Sequence, residues 1–347
     1  MGLATNTTIS IGVIGLVYAV GEASDTIYSN IMDSLLSQNL INTKVFSLYL
    51  DSVSSSRGSI LFGAIDTTKF LNELVLIDIV PQPIWNGSTL YSAFAVELVG
   101  MGITVHGGKT TNFTISPAVV VLQSEITITT SPADFTSPLF KYFNAYDDTQ
   151  FTGNVYIPCS LLNDSSSITV NYLFSSSSAS TMIKIPLSEL IFPLTNPVYA
   201  LYEGDVLPDL PFSGEACTFG IFTGSYGYYF LGDTFLRSAY VVYDLDNNQV
   251  GLTQASFEAL NASSNSKAGG GSIVELKAGE TGIPGLRGGS LSRSTGPVES
   301  KLTSSGSETS TGTLTATETA TQTGKSDGVA PMSRNIDLGT VSWYWEG

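Results

Sequence analysis

Apolar runs rich in Val, Ile, Leu, Tyr and Phe recur along the first 257 residues, separated by short polar or glycine-containing breaks. Runs of this length and composition predict buried strands. The predicted strands cover 9–20, 45–50, 59–63, 74–80, a strand-turn-strand over 93–105, and then 119–130, 155–159, 168–174, 182–185, 239–243 and 249–252. The sequence 246–248, Asp-Asn-Asn, predicts a turn between the last two strands. The pattern therefore indicates a mainly β fold.

Helical spacing of apolar residues is limited to a few segments. It predicts a helix over 27–40 and a short helix over 135–145. A single helical turn is predicted over 235–238, with Asp233 or Thr234 as its cap. The mainly β fold should therefore contain few helices, all of them short.

The composition changes after residue 257, where Gly, Ser, Thr and Ala replace the apolar runs. Residues 291–329 have too few apolar side chains to form a core, which predicts a disordered linker or an O-glycosylated stalk. Residues 335–347 are too polar for the hydrophobic tail of a glycolipid-anchor signal. We expect residues 261–347 to form a Gly/Ser/Thr-rich disordered tail.

Charge is sparse and acidic, with 30 Asp and Glu against 14 Lys and Arg among 347 residues. Nucleic acid is an unlikely class of partner, because phosphate neutralisation requires clustered basic side chains. Residues 9–20 are apolar but too short to cross a bilayer. They have no preceding basic residue and no separate cleavage site, so no signal peptide is recognised.

The two cysteines, Cys159 and Cys217, could form one disulfide in an oxidising compartment or remain as two buried thiols. Five N-x-S/T sequences together favour the secretory route. Their candidate glycosylation sites are Asn6, Asn86, Asn112, Asn163 and Asn261. The lone histidine, His106, has no Cys or His neighbours, so no metal site and no cofactor are predicted.

The segment 231–252, LGDTFLRSAYVVYDLDNNQVGL, closely resembles the closing segment of the pepsin-like aspartic proteases in their fungal secreted form, as in candidapepsins and yapsins. Residues 12–18, 38–41, 46–51 and 58–70 resemble further family segments in the same order. The resemblance covers roughly residues 11–257. It implies an extracellular or cell-wall protein with a disulfide between Cys159 and Cys217.

In that family these segments make up the end of the first lobe and the whole second lobe. The resemblance thus implies a pepsin-like acid-protease fold, truncated at its N-terminus. Residues 1–80 would be the remnant of the first lobe and the inter-lobe sheet, 81–260 the second lobe, and 261–347 the tail.

The family's second catalytic motif reads LDSGTTLTYLP, and residues 122–132 here read LQSEITITTSP. Gln123 therefore stands at the catalytic Asp position, Ser124 matches the motif, Glu125 replaces the Gly and Ile126 replaces the Thr. A glutamine amide is neither base nor acid. We expect Glu125 to point to the other face of a strand, because side chains alternate. The alternative is that Glu125 supplies the second carboxylate.

The first-lobe motif is missing, because the sequence contains no Asp-Thr-Gly or Asp-Ser-Gly. Asp66 and Asp233 resemble other family segments. The sequence predicts a member of the aspartic endopeptidase family, which hydrolyses peptide bonds at acidic pH, with impaired catalysis in this chain. The alternatives are a fragment of an active protease and a non-enzymatic wall glycoprotein. The predicted partners are a peptide or protein ligand and a partner chain over the exposed lobe interface.

Overall fold

The computed structural model describes residues 14–21, 28–55, 57–83, 87–176, 179–195, 206–224, 227, 229–257, 273–277 and 286–287. Within them the chain forms the helices α1 (Ile31–Ser37), α2 (Ala133–Phe143) and α3 (Asp233–Leu236). Single 3-10 segments cover Ala19–Gly21, His106–Gly108, Cys159–Ser167 and Leu187–Glu189. The prediction of a mainly β fold with few short helices is confirmed.

The strands of the first half are β1 (Val45–Tyr49), β2 (Ser59–Phe62), β3 (Ala64–Asp66), β4 (Leu74–Asp78), β5 (Gln82–Pro83), β6 (Thr89–Leu90), β7 (Ala95–Val105), β8 (Lys109–Phe113), β9 (Ala118–Leu122), β10 (Thr129–Ser131) and β11 (Tyr146–Asp148). Those of the second half are β12 (Asn154–Pro158), β13 (Thr169–Ser175), β14 (Ser180–Pro186), β15 (Ile191–Pro193), β16 (Ala216–Phe219), β17 (Ile221–Thr223), β18 (Phe230–Leu231), β19 (Ala239–Asp244), β20 (Gln249–Gln254), β21 (Ile273–Glu275) and β22 (Leu286–Arg287).

Three sheets carry most of these strands. The first has the order β2-β1-β19-β20-β4-β22 and combines strands from residues 45–78 with strands from residues 239–287. The second has the order β14-β13-β7-β9-β18, with β8 added beside β7, and the third has the order β11-β12-β16-β15. Strands β10 and β17 form a separate parallel pair. Strand β18 lies parallel to β9, which places the segment after β18 beside the segment after β9.

A large apolar core connects the first two sheets. Its aromatic centre contains Phe46 of β1, Phe94 before β7 and Tyr243 of β19, with ring centroids 4.4–4.6 Å apart for the two contacts of Tyr243. Phe235 of α3 lies edge-on against Tyr172 of β13, at 5.3 Å between ring centroids. These contacts hold α3 and the segment before it in one fixed position relative to both sheets.

The helix predicted over 27–40 is shorter than expected. Asn30 caps α1 by accepting from Asp33 N, while Asp33 accepts from Asn30 N. Asn39, with a φ of 56°, ends it. The predicted cap of the last helical turn is wrong, since Gly232 occupies the N-cap of α3 and makes no side-chain bond.

Three predicted strands also differ from the structure. The one predicted over 119–130 is divided, because residues 123–128 form a turn between β9 and β10. Of the one predicted over 9–20, residues 9–13 lie outside the described residues. Residues 14–21 contain no strand, although Leu16 and Val17 are buried, because an apolar run by itself does not distinguish a strand from another buried segment. Strand β7 continues through both glycines where a break was predicted. Gly100 faces the Leu173 side chain and Gly102 faces the Thr111 carbonyl oxygen, so both are required for close strand packing.

Two short strands lie inside the segment 261–347 that was predicted to be disordered. Strand β21 pairs with β3, and β22 lies parallel to β4. The rest of that segment lies outside the described residues.

Candidate active site

The segment that matches the second catalytic motif forms a turn between β9 and β10. Gln123 N donates to Leu231 O at 3.1 Å, which continues the parallel pairing of β9 with β18. On the return side of the turn, Asp233 N donates to Ile126 O at 2.9 Å and Thr234 N to Thr127 O at 3.0 Å. The turn 123–128 is therefore held along its length by the backbone of 231–234.

Gly232 makes this close approach possible. A Cβ atom at this position would lie 2.1 Å from Ile126 O and 2.2 Å from Ile128 O. No side chain fits at such distances, so the residue that faces the turn must be glycine.

Thr234 supports the turn from the interior. Its side chain is fully buried, and Oγ1 hydrogen-bonds with Thr129 Oγ1 at 2.9 Å and with Gly220 O at 3.0 Å. These bonds connect α3 to both strands of the β10–β17 pair, and they satisfy a hydroxyl that would otherwise be costly to bury.

Gln123 is 4% exposed and Ser124 is 5% exposed, whereas Glu125 is partly exposed. Gln123 Nε2 donates a hydrogen bond to Glu125 Oε1. The expectation that Glu125 points to the opposite face is therefore wrong. Positions 123 and 125 are two residues apart, so strand alternation itself would place both side chains on one face. Residues 123–128 in addition form a turn between β9 and β10 rather than a strand. The structure brings the amide and the new carboxylate together.

This pair offers one carboxylate and one amide. The amide holds its protons at all pH values in which proteins fold and cannot act as base or acid. General acid–base hydrolysis with two carboxyl groups needs one ionised and one protonated group in the same site. The turn by itself supplies only the carboxylate of Glu125.

Asp66 and Asp233 occupy other positions, as the resemblance implies. Asp66 Oδ1 accepts from Thr68 N and from Thr68 Oγ1, which makes a local turn after β3. Asp233 opens α3, 4.0 Å from the Arg237 guanidinium. Burial raises the pKa of Asp233 to about 7, and the charge of Arg237 opposes this rise.

The disulfide predicted between Cys159 and Cys217 is confirmed, with a Cα–Cα distance of 5.1 Å. It joins the end of β12 to β16. Two of the candidate glycosylation residues, Asn112 and Asn163, are exposed. The other three, Asn6, Asn86 and Asn261, lie outside the described residues.

His106 Nε2 lies 2.7 Å from Ser167 Oγ at the surface. Over the described ranges, no three His, Cys, Asp or Glu side chains are grouped so that they could hold a metal ion. In the same part of the chain, no helix combines the length and the apolar character that a membrane span requires.

Sequence reasoning missed a second group of buried acidic residues. Asp51 follows β1 and is 2% exposed, and Glu189 belongs to the 3-10 segment after β14 and is 5% exposed. Their distance along the chain left no local signal. The fold nevertheless brings them to one loop, because Val53 N, two residues after Asp51, donates to Glu189 Oε2 at 2.7 Å.

The profile of the eukaryotic aspartyl protease family matches residues 2–255. A probable aspartic-type endopeptidase opsB of Aspergillus fumigatus is 32% identical over 290 residues, which are 82% of this chain and 53% of that protein. An acid protease of Saccharomycopsis fibuligera is 32% identical over 74% of this chain and 59% of its own length. Candidapepsin-3 of Candida albicans is 28% identical over 73% and 54%.

Among solved structures, the aspartic proteinase from Irpex lacteus superposes with a TM-score of 0.47 at 18% identity, covering 67% of this chain and 62% of its own. The chain thus spans little more than half the length of the curated relatives it matches. Since the family profile covers most of the sequence, the chain belongs to the eukaryotic aspartyl protease family.

Proposed function

We propose that this chain is a catalytically impaired member of its family, which binds peptide or protein ligands but does not hydrolyse them by two-aspartate chemistry. Gln123 is the observation that carries the proposal. Its amide stands at the position of the second catalytic carboxyl in the family motif. The sequence contains no Asp-Thr-Gly or Asp-Ser-Gly that could supply a catalytic Asp elsewhere. Water activation by this route needs two carboxyl groups that share a proton.

The surroundings of Gln123 support a retained binding turn. Three backbone hydrogen bonds join 231–234 to 123–127, and Gly232 preserves the close approach. The turn is therefore held by backbone contacts that do not require the catalytic Asp of the family motif. A ligand site that has lost its chemistry is the simplest function for such an arrangement.

A second candidate function is an active endopeptidase whose first lobe is supplied by residues outside this sequence. The length comparison favours it, since the chain spans 53% of the Aspergillus fumigatus relative. Apolar side chains of the first-lobe remnant support a covering partner segment, because Ile14, Tyr28 and Leu40 are 49%, 51% and 65% exposed.

A third candidate, a non-enzymatic secreted or wall glycoprotein, is supported by the exposed residues Asn112 and Asn163. An extracellular location is supported by the disulfide and by a relative described as secreted aspartic protease 3 of Candida albicans, 28% identical over 73% of this chain.

The turnover of quenched peptide substrates at about pH 3–5, where an Asp dyad titrates, tests the proposal. We expect the purified chain to show no cleavage that a statine-type inhibitor blocks. The Gln123→Asp variant restores the family residue. Any inhibitor-sensitive cleavage that it shows should equal or exceed that of the natural chain. Gln150→Asp, at an exposed position outside the turn, is the matched control and should leave the result unchanged.

Inhibitor-sensitive cleavage by the natural chain would contradict the impairment. Cleavage gained only by Gln123→Asp would support it, and would show that a second acid is available in the folded chain.

A further inference from the structure

Asp51 lies in an unusual place for a carboxylate. It is 2% exposed, has a φ of 64°, and follows directly on the end of β1. Its Oδ1 accepts from Tyr49 Oη at 3.1 Å and from Ser52 N at 2.8 Å. Its Oδ2 has no hydrogen-bond partner among the described residues. A buried carboxylate oxygen without a donor is costly, so a second ionised carboxylate beside it is disfavoured.

Glu189 faces the same loop from the other side. Its Oε2 accepts from Val53 N at 2.7 Å, so the carboxyl group fastens the loop 51–55 to the 3-10 segment Leu187–Glu189. The bond joins residues 136 positions apart in the chain. It is the direct connection between the loop that follows β1 in the first sheet and the segment that follows β14 in the second.

The charges around this junction do not balance. Arg237 is the cation that acts on Glu189, and it also lies 4.0 Å from Asp233. On the other side, Lys69 Nζ lies 4.9 Å from the centre of the Tyr49 ring rather than beside a carboxylate. Burial and the Asp51 charge raise the pKa of Glu189, against the opposing effects of Val53 N–H and Arg237. Glu189 and Asp233 therefore share the guanidinium of Arg237, while the charge of Asp51 adds to that of Glu189.

We propose that Glu189 binds a proton beside Asp51, and that this buried proton site clamps the loop 51–55 to the second sheet in acid and releases it towards neutral pH. The ligand is the proton, because two nearly buried carboxyl groups lie at one loop and protonation of one of them removes the repulsion between like charges. This inference does not depend on the proposed function, since it concerns the junction and not the Gln123 turn.

The sign of the effect follows from linkage. The pKa of Glu189 is raised in the folded junction and returns towards its ordinary value when the loop opens. The clamp is therefore complete below the ordinary glutamate pKa of about 4.3. The clamp weakens as pH rises from there to the raised pKa of Glu189. Because one proton is involved, the opening constant rises by at most about tenfold per pH unit over this range.

Hydrogen exchange of the Val53 amide measures the opening directly, because this amide donates to Glu189. Between about pH 4 and 7, and after correction for the intrinsic exchange rate, we expect the opening constant of the natural chain to rise, by at most about tenfold per pH unit. Glu189→Gln keeps an acceptor oxygen for Val53 N but cannot ionise, so its opening constant should rise clearly less with pH than that of the natural chain. Glu97→Gln, at an exposed position of β7, should behave as the natural chain does.

Asp51→Asn provides a second variant, because it removes the neighbouring charge and leaves Glu189 in place. It should reduce the rise with pH, and it keeps the test available if Glu189→Gln does not fold. A natural chain whose Val53 opening is independent of pH would overturn the proposal. So would a Glu189→Gln or Asp51→Asn variant with the full pH dependence of the natural chain.

Discussion

Gly232→Ala is expected to destabilise the folded chain by about 3–5 kcal/mol, because one methyl group meets two backbone oxygens and the nearby ladder must open. The added Cβ would lie 2.1 Å from Ile126 O and 2.2 Å from Ile128 O. Backbone oxygens cannot rotate away as a side chain can. The turn has to move, and the bonds from Asp233 N and Thr234 N are weakened together. Urea unfolding followed by circular dichroism measures the loss.

Gly153→Ala is the matched control for this variant. Gly153 has a φ of 75°, but a Cβ there would have no atom within 4 Å. Its cost should be limited to the left-handed backbone, about 1 kcal/mol. Equal costs for the two variants would show that the contact between Gly232 and the 123–128 turn is not as close as described.

Removal of the disulfide should be the other large change. The double variant Cys159→Ala/Cys217→Ala opens a covalent loop with a sequence separation of 58 residues. Chain entropy then predicts a loss of about 4 kcal/mol in the free energy of unfolding, because the unfolded chain gains the freedom that the bridge denied it. Unfolding in urea under non-reducing conditions measures this loss.

The double variant loses the packing of two side chains as well as the bridge. Reduction of the natural chain is the control, because it opens the bridge and keeps both cysteine side chains. Reduction should destabilise the natural chain by a similar amount and leave the double variant unchanged. A loss below about 1 kcal/mol would mean that the bridge does not constrain the unfolded chain as the loop length predicts.

The strands of the first sheet were predictable because their signals are local. Val- and Tyr-rich runs gave β1, β19 and β20, and the turn between the last two contains Asn248 with a φ of 54°. The predicted disulfide followed from the family resemblance. The assignment of Gln123 to the family's catalytic position rests on the same resemblance, because the motif aligns there without a gap, and it stays a prediction.

What the sequence did not show depends on contacts between distant residues. Gly100 and Gly102 indicate a break in any local analysis, but they pack against Leu173 and Thr111 inside one long strand. The direction of Glu125 depends on the turn that residues 231–234 impose. The Asp51–Glu189 junction has no local pattern, because Val53 and Glu189 are 136 residues apart.

The central claim is that the turn around Gln123 is folded but offers no acid pair to a tetrahedral intermediate. An intact active site binds a mimic of that intermediate about 100-fold or more tightly than a matched ground-state ligand. Calorimetry at about pH 4 can compare a statine-containing peptide with the same peptide lacking the statine hydroxyl. We predict dissociation constants that agree within about threefold, less than about 1 kcal/mol. A statine peptide that binds about 100-fold more tightly would contradict the account.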